Sequence, residues 1–180
     1  MSHDLEEALE YLLEEEGGWS NHPADTGGAT MYGVTQATYN AFRKAAGRPQ
    51  QSVRKITKEE AKEVYNSMYW EASGCHKLPW PISYLTFDAA VNSGPVRAVQ
   101  WTQSGLGMKA DGQVGPATVS AAKKAVDQAD GSKLVGIMDS RVLFLARLVQ
   151  RKPSQSAFLL GWWRRTQRVL ARALTADIGE

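Results

Sequence analysis

The sequence predicts an all-α fold, and three observations carry that expectation. Apolar residues recur at helical spacing in segment after segment, no stretch alternates apolar and polar residues as a half-buried strand would, and helix punctuation marks several boundaries. The first helix runs over residues 4–16, with Leu5, Leu9, Leu12 and Leu13 forming one stripe. A second covers residues 36–46 and stops at Gly47-Arg48-Pro49. Thr57-Lys58-Glu59-Glu60 reads as a capping box, with Thr57 as N-cap and Glu60 at the third helical position. The helix it opens places Ala61, Val64, Tyr65, Met68 and Tyr69 on one face. Pro79-Trp80-Pro81 enforces an extended break before a helix over residues 82–92, which Ser93-Gly94-Pro95 ends. Residues 96–104, 116–129, 133–150 and 154–176 complete the set, with Pro116 in a first helical turn. A short hairpin has room only in the glycine-rich loop over residues 27–35.

Glu16 differs from its acidic neighbours. At roughly 100° per residue it falls about 20° from Leu5, inside the apolar stripe. Glu6, Glu7, Glu10, Glu14 and Glu15 fall beside or opposite that stripe. A carboxyl half-buried against apolar groups has its pKa raised, because desolvation disfavours the charged form, and can then donate a proton as a general acid. Gly17 and Gly18 end the helix and leave room for a ligand. Periodicity alone equally allows a frayed helix end with a solvated Glu16 and a glycine cap. Residues 21–35 form a long run of turn formers, better suited to a binding or catalytic loop than to a plain connector. The run carries a second carboxylate, Asp25.

Glu16-Gly17-Gly18, followed by Pro23-Ala24-Asp25, Gly27-Gly28-Ala29-Thr30 and Tyr32-Gly33-Val34-Thr35, resembles the signature of the glycoside hydrolase family 108 muramidases. These bacterial and phage enzymes cut the glycan strands of peptidoglycan. The resemblance implies a lysozyme-like helical architecture with a glycine-rich catalytic loop, and Glu16 as the catalytic glutamate. Trp19 stands where Tyr is common and keeps a flat face for sugar stacking. Asp25 is the candidate for positioning water or stabilising charge, with Thr30 as the fallback for holding water. Trp19, Tyr32, Tyr69, Asp88 and Asn92 are the expected substrate contacts. Tyr69 reads equally well as core and Trp70 as core. Asp88 and Asn92, one helical turn apart, share a face that could brace the Glu16 loop as well as touch sugar.

Composition sets further bounds. The chain has 180 residues, a net charge of +2 and 43% hydrophobic residues, enough for a sizeable core in one domain or two small ones. A single cysteine, Cys75, rules out an internal disulfide. His3, His22 and His76 lack metal-ligand spacing, and adjacent Cys75 and His76 rarely meet as nucleophile and base, so neither metal nor cofactor is expected. The acidic start lacks a signal-peptide pattern, so the expected route from cytoplasm to wall is a holin pore or dedicated export. Arg141, Arg147, Arg151, Lys152, Arg164, Arg165, Arg168 and Arg172 load the last third with positive charge. That bias favours anionic partners, but no nucleic-acid motif accompanies it.

Gly94-Pro95 marks the expected division into a catalytic region, residues 1–94, and a helical wall-binding region, residues 95–180. Beyond it, a Gln followed by Asp111-Gly112-Gln113-Val114-Gly115-Pro116-Ala117-Thr118 is similar to the repeat of small helical peptidoglycan-binding domains, though it also makes sense as a plain connector. In the last helix Phe158, Trp162, Thr166, Val169, Leu170, Ala173 and Leu174 lie on one side and four arginines on the other. Packing against the core is the expectation, with interfacial membrane contact as the alternative. The expected function is therefore a monomeric peptidoglycan muramidase acting on glycan strands. A lytic transglycosylase using the same Glu16 is one alternative, and a non-enzymatic wall-binding or membrane-permeabilising protein is another.

Overall fold

The computed structural model describes residues 2–15 and 29–176. The chain forms two compact units, Met1–Ala72 and Ser73–Glu180. Among the described residues the structure is all-α, with eight α-helices and one two-stranded hairpin.

In the first unit, α1 (His3–Glu15) buries Leu5, Ala8, Leu9 and Leu12, while Leu13, the last leucine of the expected stripe, is only half-buried. The hairpin pairs β1 (Thr30–Met31) with β2 (Val34–Thr35), Thr30 opposite Thr35 and Met31 opposite Val34. Thr35 then caps α2 (Gln36–Ala45), its hydroxyl accepting from the Thr38 amide at 3.1 Å. Thr57 caps α3 (Lys58–Tyr65) in the same way, accepting from the Glu60 amide at 3.1 Å. Only that half of the expected capping box forms. The Glu60 carboxylate instead accepts from the Tyr39 hydroxyl and from Arg43 Nη1, each at 2.6 Å, joining α3 to α2. Beyond α3 the chain widens into a π-helical segment, Asn66–Glu71, which periodicity had read as plain helix continuation.

The second unit is built around α4 (Ile82–Ser93). Every residue from Ile82 to Ala90 is buried, as expected of a helix enclosed on all sides. Around it pack α5 (Pro95–Gly105), α7 (Gly131–Arg151) and α8 (Leu159–Thr175). The Thr86 and Thr102 hydroxyls meet at 2.7 Å between α4 and α5. At Gly105 an added Cβ would lie 2.3 Å from the Ile137 backbone nitrogen, so glycine is what lets α5 and α7 approach this closely. The remaining helix, α6 (Pro116–Asp127), starts at the proline that the sequence marks.

The C-terminal helix departs from expectation at its start. A 3-10 turn, Pro153–Phe158, precedes α8, and the Phe158 ring stacks on that of Trp162 with centroids 5.9 Å apart. Thr166, Val169 and Ala173 are buried, whereas Phe158 remains 55% and Leu174 50% exposed. Two of the arginines that load the last third with positive charge, Arg141 and Arg165, reach inward to Asp88.

Candidate active site and wall-contact surface

Glu16, Trp19 and Asp25 lie outside the described residues. They belong to the segment joining the end of α1 at Glu15 to Ala29, whose carbonyl accepts from the Gln36 amide at 3.0 Å. Thr30 opens β1, half-buried, directly after that segment.

The hairpin turns at Tyr32 and Gly33, with φ values of +51° and +72°. Positive φ at both central positions suits the right-handed twist of a two-residue hairpin, but for a tyrosine it is strained. The strain is braced from α3: the Tyr65 hydroxyl donates to the Tyr32 carbonyl at 2.8 Å. Tyr65 is itself buried, and its ring lies 5.9 Å from that of Tyr69 at 37°. The half-buried Tyr69 sits in the π-helical segment, while the next residue, Trp70, is buried. Thr30, Tyr32 and Tyr69 are thus gathered around one hairpin through Tyr65. The sequence reading missed that brace because it placed Tyr65 on an apolar face and assigned its hydroxyl no partner.

Asp88 and Asn92 belong to the second unit. Asp88 is buried, its Oδ2 accepting from Arg141 Nη1 at 2.5 Å and its Oδ1 from Arg165 Nε at 2.9 Å. Burial alone would push its carboxyl up; the two guanidinium groups outweigh that and hold it below the ordinary carboxylate range. The Asn92 amide donates back to the Asp88 carbonyl at 2.8 Å, and Asn92 lies exposed on the last turn of α4. The shared face of this pair therefore divides: Asp88 faces α7 and α8, and Asn92 faces solvent.

The Asp-Gly motif of the second half also acquires a structural account. Gln103, 1% exposed on α5, donates through its amide nitrogen to Asp111 Oδ1 at 2.7 Å, to the Gln113 carbonyl at 3.0 Å and to Thr118 Oγ1 at 3.2 Å. Its oxygen accepts from the Gly112 amide at 2.8 Å. One buried amide thus organises the whole loop from Asp111 to the first turn of α6. Beside that loop runs an open groove of 870 Å³, lined among others by Lys77, Val114, Pro116, Val119, Lys123 and Lys124. Gly74, at φ +69°, lets Val114 close against the turn that carries Lys77; a Cβ there would come within 2.9 Å of Val114 Cβ.

Among the described residues no group of three His, Cys, Asp or Glu side chains could hold a metal ion, and no helix is long and apolar enough to cross a membrane.

Residues 9–94 match the family described as glycosyl hydrolase 108, and residues 97–167 match one described as a predicted peptidoglycan domain. No curated protein matches the chain. A solved structure of Brucella abortus SagA is 31% identical, with a TM-score of 0.79, over 96% of this chain and 97% of that one. The two matched segments meet between α4 and α5, whereas the compact units divide between Ala72 and Ser73. By sequence α4 goes with the first segment, and by packing it is the centre of the second unit.

Proposed function

Since this chain belongs to the glycosyl hydrolase 108 family and carries a C-terminal peptidoglycan-binding part, it is a glycoside hydrolase acting on peptidoglycan in the cell wall, and we propose that it is a muramidase with Glu16 as general acid. Glu16 protonates the oxygen of the β-1,4 bond between N-acetylmuramic acid and N-acetylglucosamine. Positive charge then builds on the departing sugar ring, and water completes the hydrolysis. Asp25 positions that water or stabilises the charge, with Thr30 as the second group able to hold water. Trp19, Tyr32 and Tyr69 supply flat faces for sugar rings, and Asn92 a polar contact. Asp88 acts at one remove, by fixing the helix that carries Asn92.

The observation that carries this reading is the burial of Leu5, Leu9 and Leu12 on α1. Periodicity assigns Glu16, which lies outside the described residues, to the stripe these leucines form, and a carboxyl set against apolar groups stays protonated near neutral pH. The proposed division of labour puts the chemistry in residues 1–94 and wall binding in residues 95–180, which the matches over residues 9–94 and 97–167 support. The groove lined by Lys77, Lys123 and Lys124 against a single acid, Asp127, keeps an excess of positive charge that suits an anionic polymer.

Digestion of purified sacculi with mass analysis of the products tests the proposal. Reducing N-acetylmuramic acid ends are expected. Anhydro ends, lighter by one water, would make this a transglycosylase, and reducing N-acetylglucosamine ends a glucosaminidase. Glu16→Gln keeps the shape of the side chain but cannot donate the proton, so the rate should fall at least about a hundredfold. Asp25→Asn should cost less, because a group that assists water has partial substitutes. Near wild-type digestion by Glu16→Gln would remove Glu16 from the mechanism.

A further inference from the structure

The start of α8 leaves a cluster of large apolar side chains in water. Phe158, Leu159, Leu160 and Trp163 are 55%, 43%, 58% and 52% exposed, and the last three line a shallow surface groove with Ser156. Isolated exposed leucines need no explanation, but four such side chains within six positions form a patch. Further along the same helix, Thr166, Val169 and Ala173 are buried and anchor it to the second unit. The patch is therefore held outward on a fixed support.

Along the chain the charge around it has one sign. From Ser140 to Ala176 the sequence contains eight Arg or Lys residues and neither Asp nor Glu. Arg141 and Arg165 are taken up by Asp88. Arg147, Arg151, Lys152 and Arg164 are exposed, and the last three flank the apolar cluster in the sequence.

We propose that this surface docks the enzyme peripherally on an anionic lipid bilayer. Exposed Phe, Leu and Trp set among cations match both layers of such a surface, acyl chains below and phosphate head groups above. Other occupants fit less well. Wall polymer and nucleic acid answer the cations but offer Leu159 and Leu160 no apolar volume. A second copy of the chain in a two-fold contact would bring like charges together. Because α8 is anchored by its buried side, the contact is shallow, and it holds the hydrolase at the membrane face of the wall without piercing the bilayer.

The test uses full-length protein and flotation with vesicles of phosphatidylglycerol and phosphatidylethanolamine, against vesicles of phosphatidylcholine alone. Binding to the anionic vesicles is expected, weakening as salt rises. A Leu160→Ser/Trp163→Ser variant and an Arg151→Gln/Lys152→Gln/Arg164→Gln variant should each lose about tenfold in affinity. Both should melt like wild type and digest purified sacculi at the wild-type rate, which keeps this result separate from that on the catalytic reaction. Three outcomes would overturn the proposal: no preference for anionic vesicles, vesicle affinity unchanged in the Leu160→Ser/Trp163→Ser variant, or a loss in that variant of self-association or sacculus binding instead.

Discussion

Glu60 in the first unit meets partners no more than 21 positions away, whereas Asp88 in the second draws on arginines 53 and 77 positions downstream. The Glu60 side chain keeps 13% of its surface in water and shares itself among Tyr39, Arg43 and Arg48 at the edge of α2 and α3. Asp88 keeps 6%, and each oxygen is committed to a different helix. One carboxylate staples two neighbouring helices. The other sets how α7 and α8 close on the central α4. A partly wet ion cluster with several members loses little when one leaves, while a dry one strands its partners.

The largest expected effect follows from that difference. Asp88→Asn leaves two guanidinium groups facing a neutral amide inside the second unit and should lower stability by about 3–5 kcal/mol. Glu60→Gln should cost about 1–2 kcal/mol, since the amide keeps one oxygen for Tyr39 or Arg43. Denaturant midpoints for the two variants measure both values, and equal losses would end the distinction. The pH profile adds a second readout. The folded Asp88 carboxyl is more acidic than the unfolded one, so its contribution is complete above about pH 4 and is lost as pH falls through the lower folded value. Asp88→Asn should flatten that acid limb. At the alkaline end, burial pushes the Tyr84 hydroxyl up to about 12 from 10.0. Stability from its neutral form is present below pH 10 and lost between about pH 10 and 12.

A smaller effect is expected at the Asp-Gly loop. Gln103→Ala removes the partner of the Gly112 amide, the Gln113 carbonyl and Asp111 together, at a cost of about 2–3 kcal/mol. Affinity for purified sacculi, measured by co-sedimentation, should fall with it if the loop beside the lysine-lined groove touches the wall. Unchanged affinity in a folded Gln103→Ala protein would place wall contact elsewhere in the unit.

How much of this was legible in the sequence follows from how far each interaction reaches along the chain. The stripe of Leu5, Leu9 and Leu12, the cap at Thr57, the helix start at Pro116 and the all-α class are set within a turn or two, and local patterns find them. The π-helical widening at Asn66–Glu71 leaves no mark, because its apolar spacing differs from that of an α-helix by a fraction of a turn. That Arg141 and Arg165 pair with Asp88 was not legible, because nothing local reveals a carboxylate 53 or 77 positions back. Asp88 and Asn92 were rightly placed one turn apart, yet their side chains have separate environments, which only the packing of α7 and α8 decides. Of the candidate site, the sequence located Thr30 and Tyr32 in a loop with room for a hairpin; that Tyr65 braces the hairpin and brings Tyr69 beside it was the part no pattern announced.

The smallest expected effect concerns Glu60 from its other side. Thr57→Ala removes the hydroxyl that accepts the Glu60 amide and should cost about 1 kcal/mol, the usual value of an N-cap. Were Glu60 closing a capping box, its side chain would depend on Thr57, and the double variant Thr57→Ala/Glu60→Gln would lose less than the sum of the single losses. The carboxylate is instead engaged by Arg43 and Tyr39, so the two losses should add to within about 0.5 kcal/mol. Pairing Glu60→Gln with Arg43→Ala should depart from additivity by more, because those two side chains touch. Coupling to Thr57 that equals or exceeds coupling to Arg43 would return Glu60 to the cap and leave the first unit without the ion cluster that distinguishes it from the second.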